Sequence, residues 1–356
     1  MTTLKVNIKK SYDLSYSIII GTTLLEKLPE IILKKYSAHR YAIITDKTVQ
    51  RLYGNRLLEK FRHKADLFAF EDGETHKILT TIERLNNQMT LHGHNRSSII
   101  VAIGGGVVTD VAGFLAATFM RGIDYVSIPT TLLAMVDASI GGKTGVNSRL
   151  GKNMIGVFHH PKAVYIATQT LKTLPEKEYL NGFVELVKHA LIRDRALFET
   201  MEKNAAKIIK KDLKLLVALI ARSVAIKKKI VEQDEKEHGL RMLLNYGHTL
   251  GHGIEKASNY RIKHGFAVAI GIRIMNKFCI QNKWLKEKEG KRIDHLFETL
   301  KIPTEFAKTI AISEILEASA FDKKRRGDQL NFVALKKIGA AEIRQGKIDI
   351  GPLENS

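Results

Sequence analysis

Six short apolar runs, rich in β-branched residues and separated by helix-like segments, occupy residues 17–20, 41–45, 67–70, 99–103, 125–128 and 163–166. A strand that is apolar at every position has no face to give to water, so both faces must be covered by helices. Strands of this kind alternating with helices predict an α/β fold built on a Rossmann-like parallel sheet. From Pro175 onward the rhythm stops, and residues 203–232, 243–257 and 267–282 carry apolar side chains three and four apart, the helical period. The change at Thr173-Leu174-Pro175 divides the chain into an N-terminal α/β domain, 1–174, and a C-terminal all-helical domain, 175–356.

The fourth run, 99–103, leads into Gly104-Gly105-Gly106 and then Val107-Val108-Thr109-Asp110-Val111-Ala112-Gly113, which reads as strand, glycine turn and helix start. Glycines let backbone amides approach a pyrophosphate, and a helix amino terminus favours its negative charge. Tight strand-to-helix turns also use glycine for packing alone, and the motif is not the GxGxxG dinucleotide fingerprint. Asp46, at the end of the second run, stands where a carboxylate accepts a ribose hydroxyl, or where an ordinary Asp caps a helix.

Residues 127–147 and 151–153 form an apolar, glycine-rich stretch in which the charged Asp137, Lys143 and Lys152 are poorly explained as surface solubility. Gly142-Lys143-Thr144 resembles the end of a phosphate loop. Asp137 stands where that loop requires its first glycine, which excludes a P-loop ATPase. The helical half contributes Glu185 and Lys188 one turn apart, then Gly247-His248, Gly251-His252 and His264-Gly265. Glu and His are the usual ligands of a catalytic zinc that keeps an open position. Most single histidines are ordinary core or surface residues, but three so close together, each beside glycine, argue for a site. Spacing alone selects His248 and His252, which lie on one helical face.

Charge and cysteine content narrow the function classes. The chain has 57 Lys+Arg against 37 Asp+Glu, a net +20, and one cysteine, Cys279. A single cysteine forms no intrachain disulfide, which fits a reducing, cytoplasmic setting. The opening residues lack the apolar core of a signal peptide, and no apolar run approaches the ~20 residues of a membrane helix. The basic runs Lys227-Lys228-Lys229 and Lys323-Lys324-Arg325-Arg326 are not interleaved with aromatics, so neither nucleic acid nor a membrane is expected as partner. Most of the charge reads as solvated surface.

The runs at 128–147, 151–156 and 245–252, with Asp322-Lys323-Lys324, resemble the 3-dehydroquinate synthase family of sugar-phosphate cyclases, over nearly the full length of the chain. The resemblance implies an enzyme dependent on NAD and a divalent metal, zinc or else cobalt. It would cyclise 3-deoxy-D-arabino-heptulosonate 7-phosphate to 3-dehydroquinate and phosphate in the shikimate pathway of aromatic amino acid biosynthesis. It also implies Glu185, His248 and His264 as metal ligands, in place of the pair chosen by spacing. Cofactor contacts are implied for Asp46, for Asp72, Gly73, Glu74, Thr75, His76 and Lys77, and for Gly105, Gly106, Val107, Val108, Thr109 and Asp110. The same holds for Thr130, Thr131, Lys143 and Lys152, and for Thr170, Leu171, Lys172 and Thr173. The substrate side comprises Arg121, Asp137, Lys143, Asn153, Lys188, Lys227, Arg241, Asn245, His252 and one of Lys323 or Lys324, with Lys324 preferred, and a homodimer is expected. Val184 before Glu185 and His189-Ala190 after Lys188 depart from the usual family pattern. The flanks Asn181-Gly182-Phe183 and Ala190-Leu191-Ile192 look like those of relatives that cyclise sedoheptulose 7-phosphate. His252 and the Asp-Lys-Lys triplet favour dehydroquinate. A metal-dependent polyol dehydrogenase is the other alternative.

Overall fold

The computed structural model describes residues 13–305, 325–326, 329–346 and 348. All six apolar runs are strands: β1 (Ser17–Gly21), β2 (Tyr41–Asp46), β3 (Ala65–Phe70), β4 (Ile99–Gly104) and β5 (Tyr125–Pro129) come first. A hairpin of β6 (Lys143–Ser148) and β7 (Gly151–Phe158) then precedes β8 (Ala163–Ala167). The six pair in parallel in the order β1-β8-β5-β4-β2-β3. Alternate side chains enter opposite cores. Ala42, Ile44 and Ala102 face one, and Tyr41, Ile43, Val101 and Ile103 face the other, which is why the central strands read as apolar runs. The first core is closed by α4 (Leu79–Leu91) and α5 (Gly106–Thr118) through Ile82, Leu85, Val111 and Leu115. The second is closed by α1 (Leu28–Lys35) and by α3 (Asn55–Glu59), which follows the single turn α2 (Lys47–Val49); Leu28, Ile32 and Leu57 fill it.

The strand order fixes where a ligand can sit. After β2 the chain steps outward to β3, then returns to the opposite side of β2 as β4 and continues away through β5 and β8. The carboxyl ends of β2 and β4 therefore border a topological switch point, where open α/β sheets form a crevice. Asp46 ends β2, and the Gly104-Gly105-Gly106 turn follows β4.

The second half is largely helical: α6 (Glu176–Arg193), α7 (Arg195–Lys203), α8 (Ala205–Ile209), α9 (Leu213–Gln233), α10 (His248–Ala257), α11 (His264–Gln281) and α12 (Glu287–Thr299). Helical periodicity over 203–232 is interrupted at Asp212, whose carboxylate accepts from Leu215 N–H at 2.9 Å and caps α9. The pattern over 243–257 breaks at Gly247, which follows a 3-10 turn and caps the start of α10 in the left-handed region at φ 77°. The expectation of an all-helical second unit needs one correction. Strands β9 (Arg325–Arg326), β10 (Gln329–Lys337) and β11 (Ala340–Gly346) form an antiparallel sheet, and Phe332, Val333 and Leu335 enter the helical core. Among the described residues no helix is long and apolar enough to cross a membrane.

One close approach sets the geometry of the helical half. Gly265, in the first turn of α11, donates its N–H to Asn181 Oδ1 on α6 at 2.7 Å, and a β-carbon there would lie 1.9 Å from the Asn181 carbonyl oxygen. Any side chain at 265 must push the two helices apart. Gly265→Ala is expected to lower the unfolding free energy by about 2–3 kcal/mol in urea titrations. Gly21→Ala, whose methyl would meet Leu24 Cβ at an ordinary 3.6 Å, should change it by less than about 1 kcal/mol.

Candidate functional site

Three helices of the second half meet around a buried carboxylate. Glu185, midway along α6, is fully buried. The Lys188 ammonium pairs with its Oε2 from one turn along, and otherwise neither carboxylate oxygen meets a hydrogen-bond donor. Facing Oε1 are His248 Nε2 at 3.5 Å and His264 Nε2 at 3.8 Å. Each begins its helix, His248 after the left-handed Gly247 and His264 beside the tight Gly265 contact. One ligand atom from each of the three lies within 4.8 Å of the others. His248 Nδ1 is 3.2 Å from the Tyr246 carbonyl oxygen, which makes Nδ1 the protonated nitrogen and leaves the Nε2 lone pair aimed at Glu185. Burial, reinforced by the Lys188 charge, drives the His248 pKa well below its usual value and keeps the ring neutral, the ligand form. One carboxylate oxygen without a donor and two imidazole Nε2 atoms converging on it fit a divalent metal with an open position.

Cations surround the opening. Lys188, Lys227 and Arg241 are 1 %, 5 % and 2 % exposed, degrees of burial that charged groups tolerate only when paired. Lys227, on α9, reaches both the carboxylate and the carbonyl oxygen of Asp137, in the turn Ala134–Ala138. Burial works against the Asp137 charge, but Lys227 and Lys188 outweigh it and hold this carboxyl well below the usual range. Arg241 donates to the Gly141 carbonyl at 3.2 Å and to that of Glu235. Lys143, exposed at the start of β6, pairs with Glu237, which also accepts from Asn245 Nδ2 at 2.6 Å. Gly142-Lys143-Thr144 thus opens a strand, which agrees with the exclusion of a P-loop.

The switch-point crevice gathers the other expected residues. Asp46 accepts from Val49 N–H at 2.7 Å and caps α2, so the ordinary capping role is met while the half-buried carboxyl borders the crevice. Burial, with Asp72 beside it, pushes its pKa up to about 6. Lys77 is buried and donates to both Asp110 on α5 and Asn153 Oδ1 on β7. Asn147 Nδ2 donates to Glu74 Oε1 at 2.8 Å, clasping the 72–77 loop to the hairpin. Gly105 precedes α5 as its N-cap, packed so closely on Thr131 that a β-carbon would lie 3.0 Å from its methyl. Thr130 N–H donates to the Gly104 carbonyl at 2.8 Å, and its own carbonyl accepts from Thr170 Oγ1 at 3.2 Å. A cavity of about 240 Å³ beside Tyr53 is lined by Lys172 and Thr173.

A family model described as 3-dehydroquinate synthase N-terminal matches residues 67–181, and one described as 3-dehydroquinate synthase C-terminal matches residues 182–325. A curated 3-dehydroquinate synthase from Thermoanaerobacter pseudethanolicus is 44% identical over 333 residues, covering 92% of this chain and 93% of that protein. The chain belongs to the 3-dehydroquinate synthase family. Among solved structures, 2-epi-5-epi-valiolone synthase from Streptomyces hygroscopicus subsp. jinggangensis, with NAD+ and Zn2+ bound, superposes with a TM-score of 0.87 at 27% identity, covering 98% of this chain and 97% of that one. A 2-deoxy-scyllo-inosose synthase complexed with carbaglucose-6-phosphate, NAD+ and Co2+ gives 0.84 at 27% identity, covering 95% of each chain.

Several expected residues of this 3-dehydroquinate synthase family member stand apart from the two clusters. Arg121 is exposed, in the turn Phe119–Arg121 with φ 70°. Val108 and Leu171 are core side chains, so any cofactor contact there is through backbone, and Thr109 Oγ1 is engaged with the Gly106 carbonyl at 2.9 Å. Lys323 and Lys324 lie outside the described residues. His252 is exposed on α10, its ring centroid 5.5 Å from that of His248 and 5.8 Å from that of His264. The pairing of His248 with His252 by helical spacing is real as proximity, but the imidazole that joins His248 at Glu185 is His264.

Two carboxylates escaped the sequence reading: Glu237, between Lys143 and Asn245, and the buried Glu255 on α10. Glu255 Oε2 accepts from His264 Nδ1 and Oε1 from Lys152 Nζ, each at 2.9 Å. Its position seven residues after His248 was the available signal, since that spacing keeps both on one helical face.

The raised Asp46 pKa has a stability consequence. The folded chain holds this proton more tightly than the unfolded chain, whose Asp titrates near 3.8. The resulting stabilisation is complete below about pH 4 and is lost as pH rises through 6. Asp46→Asn keeps the cap without the charge. Between pH 4 and 8 the stability of the parent protein relative to this variant should fall by about 1 kcal/mol, because solvent screening at a half-exposed group cuts the ~3 kcal/mol of a buried one. A pH-independent difference in denaturant midpoints would contradict this.

Proposed function

We propose that this chain converts 3-deoxy-D-arabino-heptulosonate 7-phosphate to 3-dehydroquinate and phosphate with NAD and a divalent metal, zinc or cobalt. The observation that carries the reading is the convergence of Glu185, His248 and His264 beside three buried cations, Lys188, Lys227 and Arg241. In this reading residues 1–174 carry the cofactor and 175–356 the metal and most substrate contacts. Glu185 and the Nε2 atoms of His248 and His264 would hold the metal. Bound in this way, NAD supplies reversible hydride acceptance and the metal supplies Lewis acidity toward hydroxyl oxygens.

The chain's own residues supply binding, orientation and proton handling. The substrate carries a phosphate and a carboxylate, and the buried cations offer charge-assisted hydrogen bonds to both. Asp137 is ionised and holds Lys227 in a fixed direction. Asn153 and Asn245 supply amides, Lys143 extends the cationic lining, Arg121 is exposed, and Lys324 is assigned to the substrate by the family resemblance alone. His252 is exposed, beside the rings of His248 and His264, and is assigned to carry protons between substrate and solvent. On the cofactor side, Asp46 would accept from a ribose hydroxyl, and the Gly105-Gly106 amides at the start of α5 would face the pyrophosphate. We assign the protein to the cytoplasm, consistent with a free, buried Cys279. We also assign it to a homodimer, for which the exposed Leu150, Met154, Val157 and Phe158 along the β6–β7 hairpin offer apolar surface.

The deciding assay supplies heptulosonate 7-phosphate with NAD and zinc or cobalt. Phosphate and dehydroquinate should appear together with no net NADH. Turnover of sedoheptulose 7-phosphate alone would move the assignment to the cyclitol-forming relatives, and net NADH release would indicate a dehydrogenase. His252→Ala should lower kcat by about 10²-fold, and unchanged turnover across pH would remove its proton-carrying role. Light scattering should report twice the chain mass.

A further inference from the structure

Glu255 is buried, yet it lies outside the expected ligand set and outside every residue assigned above to substrate or NAD. Its two oxygens are divided between the halves of the molecule. Oε2 accepts from His264 Nδ1 on α11, and Oε1 accepts from Lys152 Nζ on the β6–β7 hairpin, which belongs to the α/β half. Lys152 is braced from its other side by the ring of Tyr260, 4.2 Å from its ammonium, a cation–π contact.

From this geometry we infer that Glu255 is a positioning residue that ties the metal centre to the hairpin lining the cofactor crevice. The inference rests on the metal reading above. An imidazole can give Nε2 to a metal only with the proton on Nδ1, and the acceptor at Nδ1 fixes both tautomer and ring plane. His248 has the Tyr246 carbonyl for this purpose, and His264 has Glu255.

Glu255 is itself close enough to act as a ligand, because His252, Glu255 and His264 form a second group whose ligand atoms lie within 4.8 Å of one another. Lys152 decides between the two arrangements. By occupying Oε1 it holds the carboxylate as an acceptor facing the hairpin, and His264 then presents Nε2 to Glu185. Displacement of the hairpin or of the Lys152 ammonium is therefore felt at a metal ligand. Glu255→Gln keeps the shape but has one acceptor oxygen for two donors, so it must release either His264 or Lys152.

The test measures cobalt and zinc affinity by competition with a chelating dye, together with the visible spectrum of the cobalt-loaded protein, for wild type, Glu255→Gln, Glu255→Asp, Lys152→Met and the Glu255→Gln/Lys152→Met double variant. Glu255→Gln should weaken metal binding 10- to 100-fold, and Glu255→Asp should recover part of the loss. Lys152→Met should weaken binding less but alter the cobalt spectrum, as Glu255 turns toward the metal. In the double variant the Lys152 effect should disappear, because it acts through Glu255. Wild-type affinity in Glu255→Gln, or strictly additive effects, would overturn the inference while leaving the metal reading intact. A wild-type chain that takes up neither metal would overturn both.

Discussion

The charge on Glu185 is the constraint on which the rest of the molecule depends. A carboxylate with no exposure loses several kcal/mol of hydration, and the fold answers with one ammonium, from Lys188, and two imidazoles, from His248 and His264. That arrangement forces α6, α10 and α11 to meet within a few ångströms, and the helices can do so only because Gly247 turns left-handed and Gly265 lacks a side chain. Packing and chemistry are therefore one problem here: the contact that brings His264 to Glu185 is the contact that closes the helical core.

Around this centre the positive charge of the chain acquires a division of labour. Lys188, Lys227 and Arg241 are buried, each held by an oxygen of Glu185, Asp137, Gly141 or Glu235. Lys77 is buried against Asp110 and Asn153 beside the switch-point crevice. In the proposed reading these few cations are the ones that would meet a sugar phosphate and a dinucleotide. Among the described residues the other basic side chains are largely exposed, paired at the surface or solvated, and contribute little to stability individually. Two further cross-links, Lys143 to Glu237 and Lys152 to Glu255, join the β6–β7 hairpin to the helical half. The hairpin is thus the link between the crevice at the switch point and the cluster of Glu185, His248 and His264.

Much of this was legible in the residues alone. All six parallel strands were readable because burial on both faces leaves an unbroken apolar run, as in Ile99 to Gly104. The β6–β7 hairpin was not, because its glycines at 145 and 156 serve strand pairing across the ladder and carry no periodic signal. The closing β10–β11 sheet was missed because its polar positions alternate weakly within a basic segment. At the site, helical spacing paired His248 with His252, since it sees only one helix at a time; His264 comes from another helix and was reached through the family resemblance. Glu255 and Glu237 were missed for a related reason: helical spacing puts Glu255 on the face of His248 but gives it no role, and only partners across the fold, Lys152 and His264 or Lys143 and Asn245, do so.

The central claim is that Glu185, His248 and His264 form one coordination sphere. Anomalous diffraction at the zinc edge from zinc-loaded crystals tests it most directly. The account predicts a single strong peak ~2.0–2.2 Å from Glu185 Oε1 and from the Nε2 atoms of His248 and His264. A peak coordinated by His252, Glu255 and His264, with Glu185 left to Lys188 alone, would contradict it.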